Sequence, residues 1–162
     1  MTTTPRYILA PYVATPPDVV ERMIHLAEVR PEDLVYDLGC GDGRLAIAAS
    51  ATREARSLGV DVETHWIEQS RVNAAAAGVS HLTQFEQCDA VDLDLRPASV
   101  VFLYLVHWST QLLATALLHQ CSPGSRVVSH TFPFGAVPST KSESFVSASG
   151  QNRSIHLWVL SA

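Results

Sequence analysis

The sequence predicts an α/β fold, a mostly parallel sheet with helices on both faces and a closing antiparallel hairpin. Three observations predict it. Apolar runs of strand length alternate with segments of helical periodicity from residue 15 to residue 131. The run at 99–106 is apolar on both faces, which suits a strand buried in the middle of a sheet. Beyond it, two short alternating segments flank a Ser/Gly-rich stretch, the pattern of a hairpin and its turn.

Each element has its own signal. Thr15 followed by Pro16, Pro17 and Asp18 reads as an N-cap with prolines and an acid in the first turn, and Val19, Val20, Met23, Ile24 and Ala27 give the helix an apolar stripe. The first strand is expected at 34–38, followed by a helix from Leu45 to about Arg53. The second strand is expected at 57–62 and its helix at 65–77, with Gly78 placed to close that helix in a left-handed conformation. A third strand is expected at 82–88, the fourth at 99–106 and a helix at 109–120. Pro123 and Gly124 then turn the chain into a fifth strand at 126–131. Segments near 142–147 and 154–160 make the hairpin, with its turn at 147–152.

Length and composition point to a single domain over 1–162: at 162 residues and 47% hydrophobic the chain can bury a good core. Its 11 Lys+Arg against 16 Asp+Glu, with no basic run, leave no footprint for a phosphate backbone, so nucleic acid is disfavoured as a partner. No apolar stretch approaches membrane-span length, and the start Met-Thr-Thr-Thr-Pro lacks the basic and apolar regions of a signal peptide. Cys40, Cys88 and Cys121 form no C-x-x-C pair and suit buried, reduced thiols. A cytoplasmic protein, monomeric or weakly dimeric, is the expectation.

The most informative run is Leu34-Val35-Tyr36-Asp37-Leu38-Gly39-Cys40-Gly41-Asp42-Gly43-Arg44-Leu45. A strand ends at an acid, three alternate glycines turn the chain, and a helix begins. Glycines there let the backbone approach a ligand, and the helix N-terminus offers unpaired N–H groups. The G-x-G-x-G spacing differs from the G-x-G-x-x-G that holds a pyrophosphate, and a carboxylate two residues earlier suits a cationic amine. S-adenosylmethionine, with an ammonium, a ribose, an adenine and no phosphate, complements Asp37, Gly39, Gly41 and Gly43. Asp61 ends the second strand 20 residues after Gly41, the separation at which an acid reaches ribose hydroxyls. Asp89 and Ala90 end the third strand, where a short acid can accept from an adenine amino group and alanine leaves room for the ring. Asp61 and Asp89 could each instead be an ordinary strand-end or turn residue.

These residues, Val35 to Gly43, Gly59-Val60-Asp61 and Cys88-Asp89-Ala90, resemble class I S-adenosylmethionine-dependent methyltransferases. Pro11-Tyr12-Val13-Ala14-Thr15-Pro16, Val100-Val101-Phe102-Leu103 and Arg126-Val127-Val128-Ser129-His130 further resemble the small protein-lysine methyltransferases, compact archaeal enzymes with mitochondrial relatives. The resemblance implies a Rossmann-like seven-stranded methyltransferase sheet, S-adenosylmethionine as methyl donor with S-adenosylhomocysteine as product, and an N-terminal segment, residues 1–30, that covers the active site. It also implies that Tyr12 and Thr15 lie at the cofactor and active-site mouth; by themselves Tyr12 reads as a hydrophobic staple and Thr15 as a helix cap.

The chain departs from that family at His107-Trp108-Ser109, where the family tends to have Asn, and at Thr131-Phe132-Pro133-Phe134, where it often has an acid. The Asn/Asp-Pro-Pro-Tyr tetrad of amino-methylating nucleic-acid enzymes is also absent. His107 and His130, expected just past neighbouring strands, are candidate bases or acceptor-orienting groups together with Tyr12. Either histidine could instead be a satisfied structural imidazole. No third ligand at recognisable spacing accompanies them, so no metal is expected. Trp108, Phe132 and Phe134 could line an acceptor pocket or pack in the core. Three functions stay open: a protein-lysine N-methyltransferase, a small-molecule N-, O- or S-methyltransferase, and a non-catalytic cofactor-binding partner protein.

Overall fold

The computed structural model describes residues 14–104, 107–130 and 137–161, with the side chains of 107–112 left undescribed. Seven strands form one sheet: β1 (Leu34–Leu38), β2 (Arg56–Asp61), β3 (Thr83–Gln87), β4 (Val100–Leu103), β5 (Arg126–His130), β6 (Lys141–Val146) and β7 (Asn152–Val159). The helices are α1 (Pro17–Ala27), α2 (Arg44–Arg53), α3 (Thr64–Ala76) and α4 (His107–Gln120), with a 3-10 turn at Ala90–Asp92. The strand order is β3-β2-β1-β4-β5-β7-β6. Neighbours from β3 to β5 are parallel, and β7 runs antiparallel to both β5 and β6. The order reverses between β1 and β4, which puts the crevice for a ligand at the carboxyl ends of those strands.

Alternation along the strands separates two apolar layers. Val35, Val100, Phe102, Val128 and Ile155 meet α1 and α2 on one face; Tyr36, Leu38, Val101, Leu103, Val127 and Trp158 meet Leu113 and Leu117 of α4 on the other. A third cluster joins α2, α3 and the edge strand through Ala46, Ile67, Ala74 and Phe85. Asp33, just before β1, pairs with Arg126 at the start of β5, and the same guanidinium donates to the Ala27 and Glu28 carbonyls at 2.7 and 3.0 Å. That one side chain ties the C-terminus of α1 to the bottom of the sheet.

The expected order of elements is observed, with shifts at the ends. β4 stops at Leu103 rather than at 106: Leu103 lies opposite Leu38, the last residue of β1, and opposite Ser129 of β5, one residue before that strand ends. α4 accordingly begins at His107. The Thr15 cap is also corrected. Pro16 is the N-cap of α1, with no side-chain capping bond, and Pro17 occupies the first turn, where its missing N–H costs nothing. Gly78, at φ +75°, follows α3 as expected. Among the described residues, no helix is long and apolar enough to cross a membrane.

Candidate active site

β1 delivers Asp37 to the crevice, and the loop that follows takes its shape from glycine. Gly39, Gly41 and Gly43 all have positive φ, 77°, 55° and 82°, a region where a Cβ meets the following carbonyl. The loop is pinned to β2: the Gly39 and Cys40 N–H groups both donate to the Val60 carbonyl at 2.9 Å. Gly59 is needed for a different reason. A Cβ built there would lie 2.7 Å from the Phe85 ring and 2.9 Å from Cys40 Cβ, so β2 and the loop can approach only over a bare backbone.

Asp61, at the end of β2, accepts from the Gly41 N–H at 3.0 Å and from the Glu63 N–H at 3.1 Å, one bond to each oxygen. Each oxygen has a further lone pair, and the residue is half-buried, so its outer edge can take two hydroxyl donors. Asp37 is a different kind of acid. It is 5% exposed, and burial pushes its carboxyl up to about 7, with Asp61 and Asp42 adding to the rise and the Ala46 backbone N–H opposing it. A carboxylate held so far from its ordinary range is short of a positive partner. The ammonium of an aminoacyl sulfonium supplies that charge. The residues present therefore fit S-adenosylmethionine on their own geometry: a buried acid for the ammonium, an edge acid for a diol, and a glycine loop whose N–H groups are already spent on Val60, Asp61 and Cys40, so that it offers close backbone approach and no phosphate cradle.

Asp89 follows β3 and accepts from the Val91 N–H at 3.0 Å, so one of its oxygens organises the 3-10 turn that places half-buried Ala90. Thr15 is buried, and its carbonyl accepts from Arg44 Nη1 at 3.1 Å. Cys40, inside the glycine loop, is buried against Ser70, and burial with the neighbouring Asp37 and Asp61 charges drives its thiol far above the usual range, so it packs and does not react.

On the other side of the switch point, Tyr104 follows β4 and His130 ends β5. Their rings lie 4.0 Å apart at 32°. His130 is fully buried, and neither ring nitrogen has a polar partner among the described residues. Burial, then the Arg153 guanidinium, lowers its pKa to about 4, which keeps the ring neutral at physiological pH. Arg153 comes from β7, two residues before the partner of His130, and approaches the Tyr104 hydroxyl at 3.5 Å. The structure thus gathers Asp37, Gly39, Gly41, Gly43 and Asp61 at one end of the sheet, with Asp89 and Ala90 after β3 and His130 two strands from β1. His107 and Trp108 begin α4, with side chains outside the described residues; Tyr12, Phe132 and Phe134 lie outside them altogether. No group of three metal-ligating side chains occurs among the described residues.

Tyr104, Arg153, Asp42 and Arg44 were not anticipated. Asp42 and Arg44 were visible as opposite charges two apart at a helix start, whereas Arg153 carries no local signal, because only the long-range pairing of β7 with β5 brings it here.

A sheet of this order with an acid, a glycine turn and a second acid at its carboxyl ends defines a class I S-adenosylmethionine-dependent methyltransferase. Comparisons with known proteins narrow the class. The family model of the ANTKMT methyltransferase domain matches residues 37–141, and the chain belongs to that family. It is 37% identical to a protein-lysine N-methyltransferase of Saccharolobus islandicus over 123 residues, 75% of this chain and 76% of that protein. It is 32% identical to the mouse adenine nucleotide translocase lysine N-methyltransferase over 129 residues, 80% of this chain but 56% of that protein. A crystal structure described as an RNA methyltransferase from Salinibacter ruber, in complex with S-adenosyl-L-homocysteine, superposes with a TM-score of 0.85 at 39% identity, covering 92% of this chain and 94% of that one.

Proposed function

We propose that the chain transfers the methyl group of S-adenosylmethionine to the side-chain amine of a protein lysine. The observation that supports this best is the match, over three-quarters of the chain or more, to proteins named as lysine N-methyltransferases in an archaeon and a mammal. The Salinibacter structure's description raises RNA as the other acceptor. Charge argues against it: the net charge is −5 and Lys and Arg number only 11 in the whole chain, whereas an RNA path needs a basic track.

The bound sulfonium supplies an activated methyl group, so the protein's task is alignment, exclusion of water and handling of one proton. Asp37 holds the amino-acid end of the donor, Asp61 the ribose, and Asp89 with Ala90 the adenine side; the family resemblance assigns Thr15 and Tyr12 to the mouth. The acceptor nitrogen must arrive neutral, since its lone pair forms the new N–C bond as the C–S bond breaks. Neutral His130 and the Arg153 charge beside it make this end of β5 a place where a nearby ammonium is disfavoured relative to a neutral amine. His107 and Tyr12 are the remaining candidates for taking up the proton.

The test is transfer of labelled methyl from S-adenosylmethionine into a desalted cell lysate, followed by separation into protein, RNA and restored metabolites. Label in protein supports the reading. Label in RNA or metabolites alone overturns it and assigns the aromatic and histidine departures to a different acceptor.

A further inference from the structure

Arg44, the first residue of α2, bridges the glycine loop and the segment before α1. Its guanidinium grips the Asp42 carboxylate, Nε at 3.0 and 3.3 Å from the two oxygens and Nη2 at 2.6 Å, while Nη1 donates to the Thr15 carbonyl at 3.1 Å. Asp42 is itself fixed from the far side, because Asn73 of α3 donates to its backbone carbonyl at 2.9 Å. Its neighbour Gly41 is the residue whose N–H bonds Asp61. A chain of direct bonds and adjacent residues therefore runs from Asp61 through Gly41, Asp42 and Arg44 to the strap at 14–16 that leads into α1. Thr15 is buried, and its carbonyl carries the strap's bond to the glycine loop through Arg44.

We propose that Arg44 is a positioning residue for the methyl donor, a clasp that holds the 14–16 strap against the glycine loop so that donor binding and strap closure are one event. The Arg44 side chain is 38% exposed and that of Asp42 20%. An ion pair that open to solvent adds little to folding stability. What it does supply is direction, since a planar guanidinium can span a carboxylate and a carbonyl together. Lysine at this position presents its donors from a single nitrogen and lacks the planar fork that reaches the carboxylate and the carbonyl from separate nitrogens.

The test uses the full chain and S-adenosylhomocysteine, whose binding needs no methyl acceptor, so its outcome is independent of the lysine reading. Wild type, R44K and R44A are compared by titration calorimetry, thermal unfolding and amide hydrogen exchange over residues 14–20. Affinity is expected to fall roughly 10-fold in R44A, the size of one lost charge-assisted hydrogen bond, with a comparable fall in R44K. The Tm should move by no more than about 4 °C, as expected for an exposed pair in a chain of this length. Saturating ligand should slow exchange at 14–20 in wild type and fail to do so in R44A. If R44A proves unstable, R44K, which keeps the charge and stem, decides alone. Affinity within twofold of wild type in both variants, or ligand protection of 14–20 that survives the substitutions, overturns the proposal.

Discussion

Replacing Asp37 by Asn should make the empty protein more stable at neutral pH while weakening its hold on the methyl donor. Burial is the main reason the Asp37 carboxyl is raised from 3.8 to about 7. Each unit corresponds to about 1.4 kcal/mol, so ionising Asp37 in the folded chain costs on the order of 4 kcal/mol once both states are charged. The sign follows from proton binding. Between pH 4 and 7 the folded chain holds a proton that the unfolded chain has released, so this group's contribution falls as pH rises through that window and levels off above about 7. About 2–3 kcal/mol of the loss lies between pH 5 and 8. His130 pulls the other way. Its pKa is lowered to about 4, so its contribution is fully present above the ordinary histidine range and is lost as pH falls toward 4. The informative quantity is therefore the stability difference between D37N and wild type, measured by urea unfolding at pH 5 and pH 8. That difference should favour D37N and grow by about 2–3 kcal/mol over the interval. S-adenosylhomocysteine binding to wild type near pH 6 should release close to one proton, read from calorimetry in two buffers of different ionisation enthalpy, and D37N should release none. A pH-independent stability difference, or equal proton release, would refute the claim that Asp37 waits for a cation.

Three further outcomes are expected. D61N should weaken S-adenosylhomocysteine binding by roughly 1–3 kcal/mol in calorimetry, because an amide oxygen loses the charge that strengthens bonds to the ribose hydroxyls and to the Gly41 and Glu63 N–H groups. Gly59→Ala should lower stability by about 1–3 kcal/mol or more in denaturant unfolding, since its Cβ would meet the Phe85 ring at 2.7 Å and that ring is packed among α3 residues. His130→Phe, which fills a similar volume without a titrating group, should unfold less readily than wild type below pH 6 and retain cofactor affinity. Acid sensitivity equal to wild type would show that His130 is not held neutral by its surroundings.

Much of this architecture was legible because the decisive signals are local. Three alternate glycines after a buried strand permit a tight turn through positive φ, which all three adopt, and Asp37 and Asp61 lie at the ends of their strands, where the sequence puts them. Boundaries set by partners were less legible. β4 looked longer because Tyr104 to Val106 are as apolar as the strand before them, yet it ends level with the last residue of its neighbour β1. Thr15 looked like a cap by residue type, but two successive prolines shift the helix start by one residue and leave the Thr15 carbonyl to Arg44. Arg153 was invisible for a deeper reason: it reaches His130 through an antiparallel register between residues more than 20 apart, which no window of sequence contains.

The most direct test of the account is amino-acid analysis of protein labelled by the purified chain with methyl-labelled S-adenosylmethionine. Acid hydrolysis leaves methylated lysines intact and removes methyl esters. Label recovered as methyllysine, and abolished in D37N, is the result expected; protein label that is lost on hydrolysis, or that persists undiminished in D37N, would contradict it.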